Sequence, residues 1–355
     1  MTARHARGLV VGKFAPLHRG HELVVERALA LCDEVVVLSY SRPEPAGCGA
    51  HRRARWLAAR FPRARQLVLA PDGERRAGGR PARVSIPAND AAARAHRRFV
   101  GDVCRHRLGG AVDAVFTSEA YGAGFAAELT RYFRRHRMSD APVRHHAVDP
   151  GRWTVPISGT AIRADVHAAR RWLAPEVYSS FVRRVCVLGG ESSGKTTLAA
   201  ALAEALRTLW VPEYARALWE RKHGMLTPDD MSAIARRQVV DEEATAGAAD
   251  RVLVCDTSPL ATAFYDEELF GRVDGVAARL AARRYDLTVL CAPDFPFVQD
   301  GTRQDAAFRA RQHAWYLGRL ARGRGPWLVA TGSVEQRVGQ VREALALIPS
   351  DSVDP

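Results

Sequence analysis

Short apolar runs alternate with longer stretches of mixed polarity along almost the whole chain. In the first half the apolar runs fall at residues 9–11, 35–39, 66–70, 114–117 and 143–148. They are three to six residues long, and all but 143–148, which holds Arg144, His145 and His146, are largely apolar, as expected of parallel strands buried on both faces. Between them, helical spacing predicts helices over about 21–31, 51–61, 91–108 and 125–135. A Pro- and Gly-rich loop is expected at 43–49 and a Gly- and Arg-rich one at 72–83. The stretch 161–181 reads as a helix leading to a new strand at 185–188. The second half repeats the logic, with strands at 209–212, 252–255, 287–291 and 327–330 and helices at about 195–206, 229–241, 279–284, 306–322 and 334–347. The tail 349–355 reads as disordered.

This alternation predicts an α/β protein of two domains, each with a parallel sheet covered on both faces, divided into residues 1–182 and 183–355. Ligands in such sheets sit beyond the carboxyl ends of the strands, so the turns that follow strands carry the candidate chemistry.

The turn after the strand at 185–188 reads Gly189-Gly190-Glu191-Ser192-Ser193-Gly194-Lys195-Thr196-Thr197. This is a P-loop in the context that confirms one, between an apolar strand and a helix. Its backbone N–H groups curl around phosphates, Lys195 reaches the terminal phosphates and Thr196 ligates Mg²⁺. Asp256 ends a strand, where a second Mg²⁺ ligand or a hydroxyl-activating carboxylate is expected, and Glu213 puts another carboxylate on the same rim. Asp300-Gly301-x-Arg303 opens an Arg-rich flap ahead of Arg309 and Arg311. Solvated loop and surface residues are the plain alternatives for Glu213 and the arginines.

The first strand is followed by Gly12-Lys13-Phe14-Ala15-Pro16-Leu17-His18-Arg19-Gly20-His21. Two imidazoles at a strand-to-helix turn can donate hydrogen bonds as charge develops on a leaving pyrophosphate, and Gly20 permits close backbone approach. A metal pair is the rival reading, without the usual i,i+4 spacing or a third ligand. Far downstream, Ser158-Gly159-Thr160 can cap a helix beneath a phosphate and Arg163 can clamp it.

Composition changes the picture in three places. The formal net charge of +13 raises the question of nucleic acid, but the arginines are spread along the chain and no winged-helix or zinc pattern accompanies them, so specific nucleic-acid binding is not expected. Only three lysines occur, and two of them, Lys13 and Lys195, fall in the two phosphate motifs. Six cysteines without paired spacing read as reduced, and no apolar run spans a bilayer or forms a leader, which together imply a cytoplasmic protein.

The motifs carry a resemblance. Residues 12–21 with 157–163 resemble the H-x-G-H nucleotidyltransferases, and that domain followed by the P-loop resembles the bifunctional NadR family. The match extends through His51-Arg52-Arg53-Ala54-Arg55-Trp56-Leu57, Phe116-Thr117-Ser118-Glu119, Val148-Asp149-Pro150, Glu213-Tyr214-x-Arg216, Asp256-Thr257 and Phe297-Val298-Gln299-Asp300-Gly301-x-Arg303. The resemblance implies that the second domain phosphorylates ribosylnicotinamide to NMN with ATP and Mg²⁺. The first domain then joins NMN to the AMP part of ATP, giving NAD and pyrophosphate.

It implies catalytic roles for Lys13, His18, His21, Arg163, Lys195, Asp256 and Glu213. Gly12, Phe14, Gly20, Ser158, Gly159 and Thr160 would hold ATP in the first domain; the P-loop residues and Arg303 would hold it in the second. Two departures stand out. The first strand begins by Leu9, so an N-terminal helix-turn-helix domain is not expected. The stretch 85–99 lacks the Trp that family members use against the nicotinamide ring, leaving His96 or Phe99 as replacements, or a first domain of altered activity. A kinase with such a domain and a nucleotide-sensing regulator are the competing functions; a homo-oligomer remains open.

Overall fold

The apolar runs become two sets of five parallel strands, one in each of two units, Met1–Val177 and Tyr178–Pro355. The computed structural model describes residues 4–71, 85–301 and 303–348. The loop expected at 72–83 and the tail at 349–355 therefore lie outside the described residues.

In the first unit the strands are β1 (His5–Gly12), β2 (Cys32–Ser39), β3 (Arg65–Val68), β4 (Ala114–Thr117) and β5 (Arg144–Ala147). Their spatial order is β3-β2-β1-β4-β5. The helices are α1 (Arg19–Leu31), α2 (Ala50–Arg60), α3 (Ala93–Val103), α4 (Gly122–Arg135), α5 (Gly159–Ala164) and the single turn α6 (Pro175–Tyr178). The second unit contains β6 (Arg183–Gly189), β7 (Leu209–Val211), β8 (Val252–Asp256), β9 (Leu287–Cys291) and β10 (Trp327–Ala330), ordered β10-β9-β6-β8-β7. Its helices are α7 (Lys195–Ala205), α8 (Tyr214–Arg221), α9 (Pro228–Ala246), α10 (Pro259–Phe270), α11 (Gly275–Ala281), α12 (Ala306–Arg322) and α13 (Val334–Leu347).

Burial follows position in the sheet. Val35–Leu38 of β2, all of β4 and all of β8 are buried, whereas the edge strands β3, β5, β7 and β10 are mostly half-exposed. Residues such as Leu9, Val36, Val115, Leu129 and Phe133 form the first core, and Val187, Leu198, Leu202, Val254 and Val289 the second. Each fully buried aliphatic side chain stabilises by about 2 kcal/mol before entropy is counted. In both sheets the first strand of the unit lies in the middle, and the order reverses beside it. Val10 pairs with Val37 on one side and Phe116 on the other. Val187 pairs with Asp256 and Val289. That reversal opens a crevice at the carboxyl ends of β1 and β6.

Two helical expectations change, and α8 and α10 appear where none was expected. The stretch 161–181 is not one helix: α5 stops at Ala164, because the Asp165 carboxylate accepts from the amides of His167 (3.0 Å) and Ala168 (2.9 Å), and the chain restarts at Pro175. The helix expected at 279–284 lies earlier, at Gly275–Ala281, because Asp274 caps the amides of Val276 and Ala277. The helix α10 was not evident from periodicity, since its buried residues lie all round it; Ser258 as cap, Pro259 in the first turn and Gly271 at the end were its legible signals.

Gly122 opens α4 directly against β4 and β5. A Cβ there would lie 2.0 Å from Nε2 of His145 and 2.4 Å from Oγ1 of Thr117. Gly122→Ala should therefore destabilise the first unit by about 2 kcal/mol, read as a lowered urea midpoint; an unchanged midpoint would show that His145 moves aside freely.

Candidate nucleotide sites

The first site forms where β1 hands over to α1. His18 is the N-cap of α1, and its Nδ1 accepts from the Gly20 amide at 3.1 Å. The ring lies so close over Gly20 that a Cβ there would approach it to 3.0 Å. His21 packs on His18 with ring centroids 3.8 Å apart, and Phe14 packs behind it at 4.8 Å. Phe14 is buried and holds the left-handed φ of 50°, an uncommon conformation for a bulky residue.

The downstream motif folds onto this turn. Ser158 caps α5 by accepting from Ala161 N, and Arg163 donates to Ala15 O (2.5 Å) and Thr160 Oγ1 (3.0 Å). A Cβ on Gly159 would stand 3.4 Å from Ala15 O and 3.9 Å from His18 Nε2, so the two motifs meet although they are separated by more than a hundred residues. His18, Gly20, His21, Arg152, Ser158 and Gly159 line one cavity.

Burial, with Arg152 and Arg163 nearby, lowers the His18 pKa to about 4. Burial and the neighbouring His18 ring hold His21 well below its ordinary value. Both imidazoles are thus neutral at neutral pH, and the positive charge near them comes from Arg152 and Arg163. Among the described residues no group of three His, Cys, Asp or Glu side chains gathers, so the metal-pair reading gains no third ligand.

Gly12 and Lys13 line a different cavity of this unit, with Tyr40, His96, Arg97 and Tyr121. His96 stacks on Tyr40 (centroids 5.8 Å) and its Nδ1 lies 3.1 Å from the Tyr40 hydroxyl. Phe99 is only 4% exposed and belongs to the core. Of the two candidate Trp replacements, His96 is the one that lines a cavity.

The second site forms where β6 hands over to α7. Gly189 and Gly194 take positive φ, and Gly190 O accepts from Ser193 Oγ (2.7 Å) and Lys195 Nζ (3.1 Å). Gly190 lies against α12, where an added Cβ would meet the Arg309 backbone carbonyl at 2.9 Å. The loop is bolted from behind by Arg337, 1% exposed, which donates to Ser193 O, Ala292 O and Gly332 O and pairs with Asp294. Glu191 is engaged by the protein itself: its amide donates to Gln312, and its carboxylate accepts from Tyr265 and the Gln304 amide.

Thr196 Oγ1 donates to Asp256 Oδ2 at 2.6 Å, while Asp256 Oδ1 is buried without a hydrogen bond. Burial foremost, with the Glu213 carboxylate adding to it, raises Asp256 to about 6; the Thr196 hydrogen bond pulls the other way. A cavity opens from the P-loop, and Lys195, Glu213, Arg216 and Arg303 line it. Trp219, Met231, Ile234, Tyr265 and Tyr316 line it too. Arg303 is held by Asp300 at 3.0 Å. Arg309 donates to Ser192 O and Phe295 O, and exposed Arg311 sits near Glu268 instead.

Sequence reasoning missed Arg152, Trp219, Tyr265 and Gln238. Nothing separates Arg152 from the chain's many other arginines. A Trp three residues after Arg216, on a short helix, was the available sign of an aromatic wall.

Together the fold and the two sites define a two-domain α/β nucleotide-binding protein. A model of an AAA domain matches residues 184–337. The trifunctional NAD biosynthesis/regulator protein NadR of Escherichia coli is 28% identical over 315 residues, covering 83% of this chain and 71% of that protein. The NadR of Salmonella typhimurium is 27% identical over 317 residues, with the same coverage. A crystal structure of NadR in complex with NR superposes with a TM-score of 0.62 at 20% identity, covering 99% of this chain and 98% of that one. Another, in complex with NAD and AMP-PNP, gives 0.62 at 19% identity over the full length of both chains. The chain is NadR-like in sequence across both units, and the structural match extends the likeness in fold to nearly every residue.

The Asp256 carboxyl should titrate near 6 in the nucleotide-free protein, charged above and neutral below. Thr196→Val, which removes a hydrogen bond to the charged form, should raise that midpoint. Carboxyl-carbon NMR reads both; a midpoint near 4 would mean the site is wetter than its burial implies.

Proposed function

We propose that the chain is a bifunctional transferase of NAD biosynthesis: the second unit phosphorylates ribosylnicotinamide to NMN, and the first adenylylates NMN to NAD with release of pyrophosphate. The likeness to NadR across both units supports the pair of reactions. The observation that carries the kinase half is the Thr196–Asp256 hydrogen bond next in sequence to Lys195 and Thr257, which line a cavity with aromatic side chains. Aromatic lining suits a planar ring, and the cations that line the same cavity suit the phosphates of ATP.

In the kinase, the 5′-hydroxyl of the nucleoside attacks the γ-phosphorus while Lys195, Arg216 and Arg303 offset charge on the phosphates. Asp256 is already committed to Thr196, and Glu213 lines the cavity and makes no cap hydrogen bond to α8, so Glu213 is the better candidate to orient the attacking hydroxyl. Thr196 and Asp256 fit Mg²⁺: they offer oxygen donors, and Oδ1 of Asp256 lacks a partner. When bound, Mg²⁺ would neutralise part of the phosphate charge.

In adenylyl transfer the NMN phosphate is already anionic and needs no base. The neutral His18 and His21 donate hydrogen bonds to the departing pyrophosphate, and Arg163, Ser158 and the α1 N-terminus hold it. Lys13 and the cavity with His96 and Tyr121 would take the acceptor nucleotide. The absence of Trp at 85–99 favours a second reading, in which the kinase works and the first unit uses a different phosphorylated acceptor.

Incubation with Mg-ATP and either ribosylnicotinamide or NMN, followed by chromatography, separates these readings. NAD and pyrophosphate from NMN support the first; NMN and ADP from ribosylnicotinamide without any NAD support the second. Lys195→Ala should abolish phosphorylation and leave adenylyl transfer intact, and His21→Ala should do the reverse, by about a hundredfold or more in kcat. Loss of both reactions in both variants would rule out independent sites.

A further inference from the structure

One residue of the second site is both strained and unsatisfied. Thr257 follows Asp256 at the end of β8 with a φ of 75°, a left-handed conformation that a β-branched side chain rarely adopts. It is 5% exposed, and its hydroxyl makes no hydrogen bond. The same residue lines the cavity that runs from the P-loop.

The neighbours explain how the strain persists. The Thr257 amide donates to Val187 O at 2.9 Å, tying it to β6. Its carbonyl accepts from Cys186 Sγ, and the next residue, Ser258, is the cap of α10. The backbone is held from both sides and cannot relax. Buried orphan hydroxyls and left-handed non-glycine residues are each uncommon, and both recur where a ligand completes the site.

We propose that the Thr257 hydroxyl is a substrate-binding group of the phosphoryl-transfer site, hydrogen-bonding a sugar hydroxyl of the nucleoside that accepts the phosphoryl group. The inference rests on the kinase reading above and adds a specificity contact to it. The neutrality of the hydroxyl suits the sugar better than the phosphates. Lys195, Arg216 and Arg303 line the cavity and provide the cations that phosphates need, whereas the Thr257 side of it offers a neutral hydroxyl. A neutral alcohol that both donates and accepts suits that side, and a threonine hydroxyl can serve it in either sense.

Three variants in the full chain test this, with kcat and KM measured for ribosylnicotinamide and for ATP. Thr257→Val keeps the shape and removes the hydroxyl; it should raise KM for ribosylnicotinamide about fivefold to tenfold and leave KM for ATP within about twofold. Thr257→Ser should restore most of the loss. Thr257→Gly relieves the backbone, so it should raise the denaturation midpoint of the second unit while impairing the nucleoside KM as much as Thr257→Val does.

A nucleoside KM unchanged in Thr257→Val, or no rescue by serine, overturns the proposal. A rise in KM for ATP alone would put the hydroxyl on the phosphates and overturn it as well. If the wild-type chain phosphorylates a different nucleoside, the ribosylnicotinamide reading falls, and the same comparison with that nucleoside still decides the role of Thr257. If it phosphorylates none, both fall.

Discussion

Both sites depend on one constraint of parallel sheets: every strand must be followed by a crossover, so all carboxyl ends share an edge. At the central strand that edge holds a turn whose backbone donors face outward and a helix whose N-terminus begins there. In the first unit the turn is closed by His18 capping α1, and in the second by the positive-φ glycines 189 and 194. Each site is then completed by a distant segment that reaches the same edge, α5 in one case and the end of β8 in the other. The chemistry is spread along the chain, but the sheet brings it to one place in each unit.

The two candidate sites arrange their charge differently. The first keeps its histidines buried and neutral, so its directed hydrogen bonds come from imidazoles and its charge from arginines outside that pair. The second packs a carboxylate into the core and holds it with a threonine, which leaves a single oxygen unsatisfied. Its loop is held from behind by Arg337, a cation engaged by three backbone carbonyls and Asp294. A buried guanidinium of this kind is costly unless fully partnered, and here four groups share it.

Much of this was legible in the chain. The strands at 114–117, 287–291 and 327–330 and the helices at 306–322 and 334–347 have the bounds that the pattern predicts, because long apolar or amphipathic runs carry their own period. The P-loop was legible because its glycines serve a local turn. The stretch 161–181 was misread because Asp165 outcompetes the helix with its own side chain, a choice that periodicity does not record. The cavity walls were illegible for a different reason: Trp219, Tyr265 and Gln238 come from three helices that nothing in their spacing brings together. Between His96 and Phe99 the sequence offered no choice; packing did, by sending Phe99 into the core.

The cysteines give the molecule a property of practical use. All six are free and buried, three in each unit. Cys186, Cys255 and Cys291 sit on the adjacent strands β6, β8 and β9, and burial raises every one of these thiols above its ordinary value. In the first unit Cys32 and Cys48 are raised to about 11 and Cys104 to about 12. A thiol reagent thus meets neither an accessible sulfur nor a thiolate until the surrounding structure opens. The chain carries its own chemical clock, with one set of hands for each unit, and the rate at which each set becomes labelled reports how often that unit comes apart.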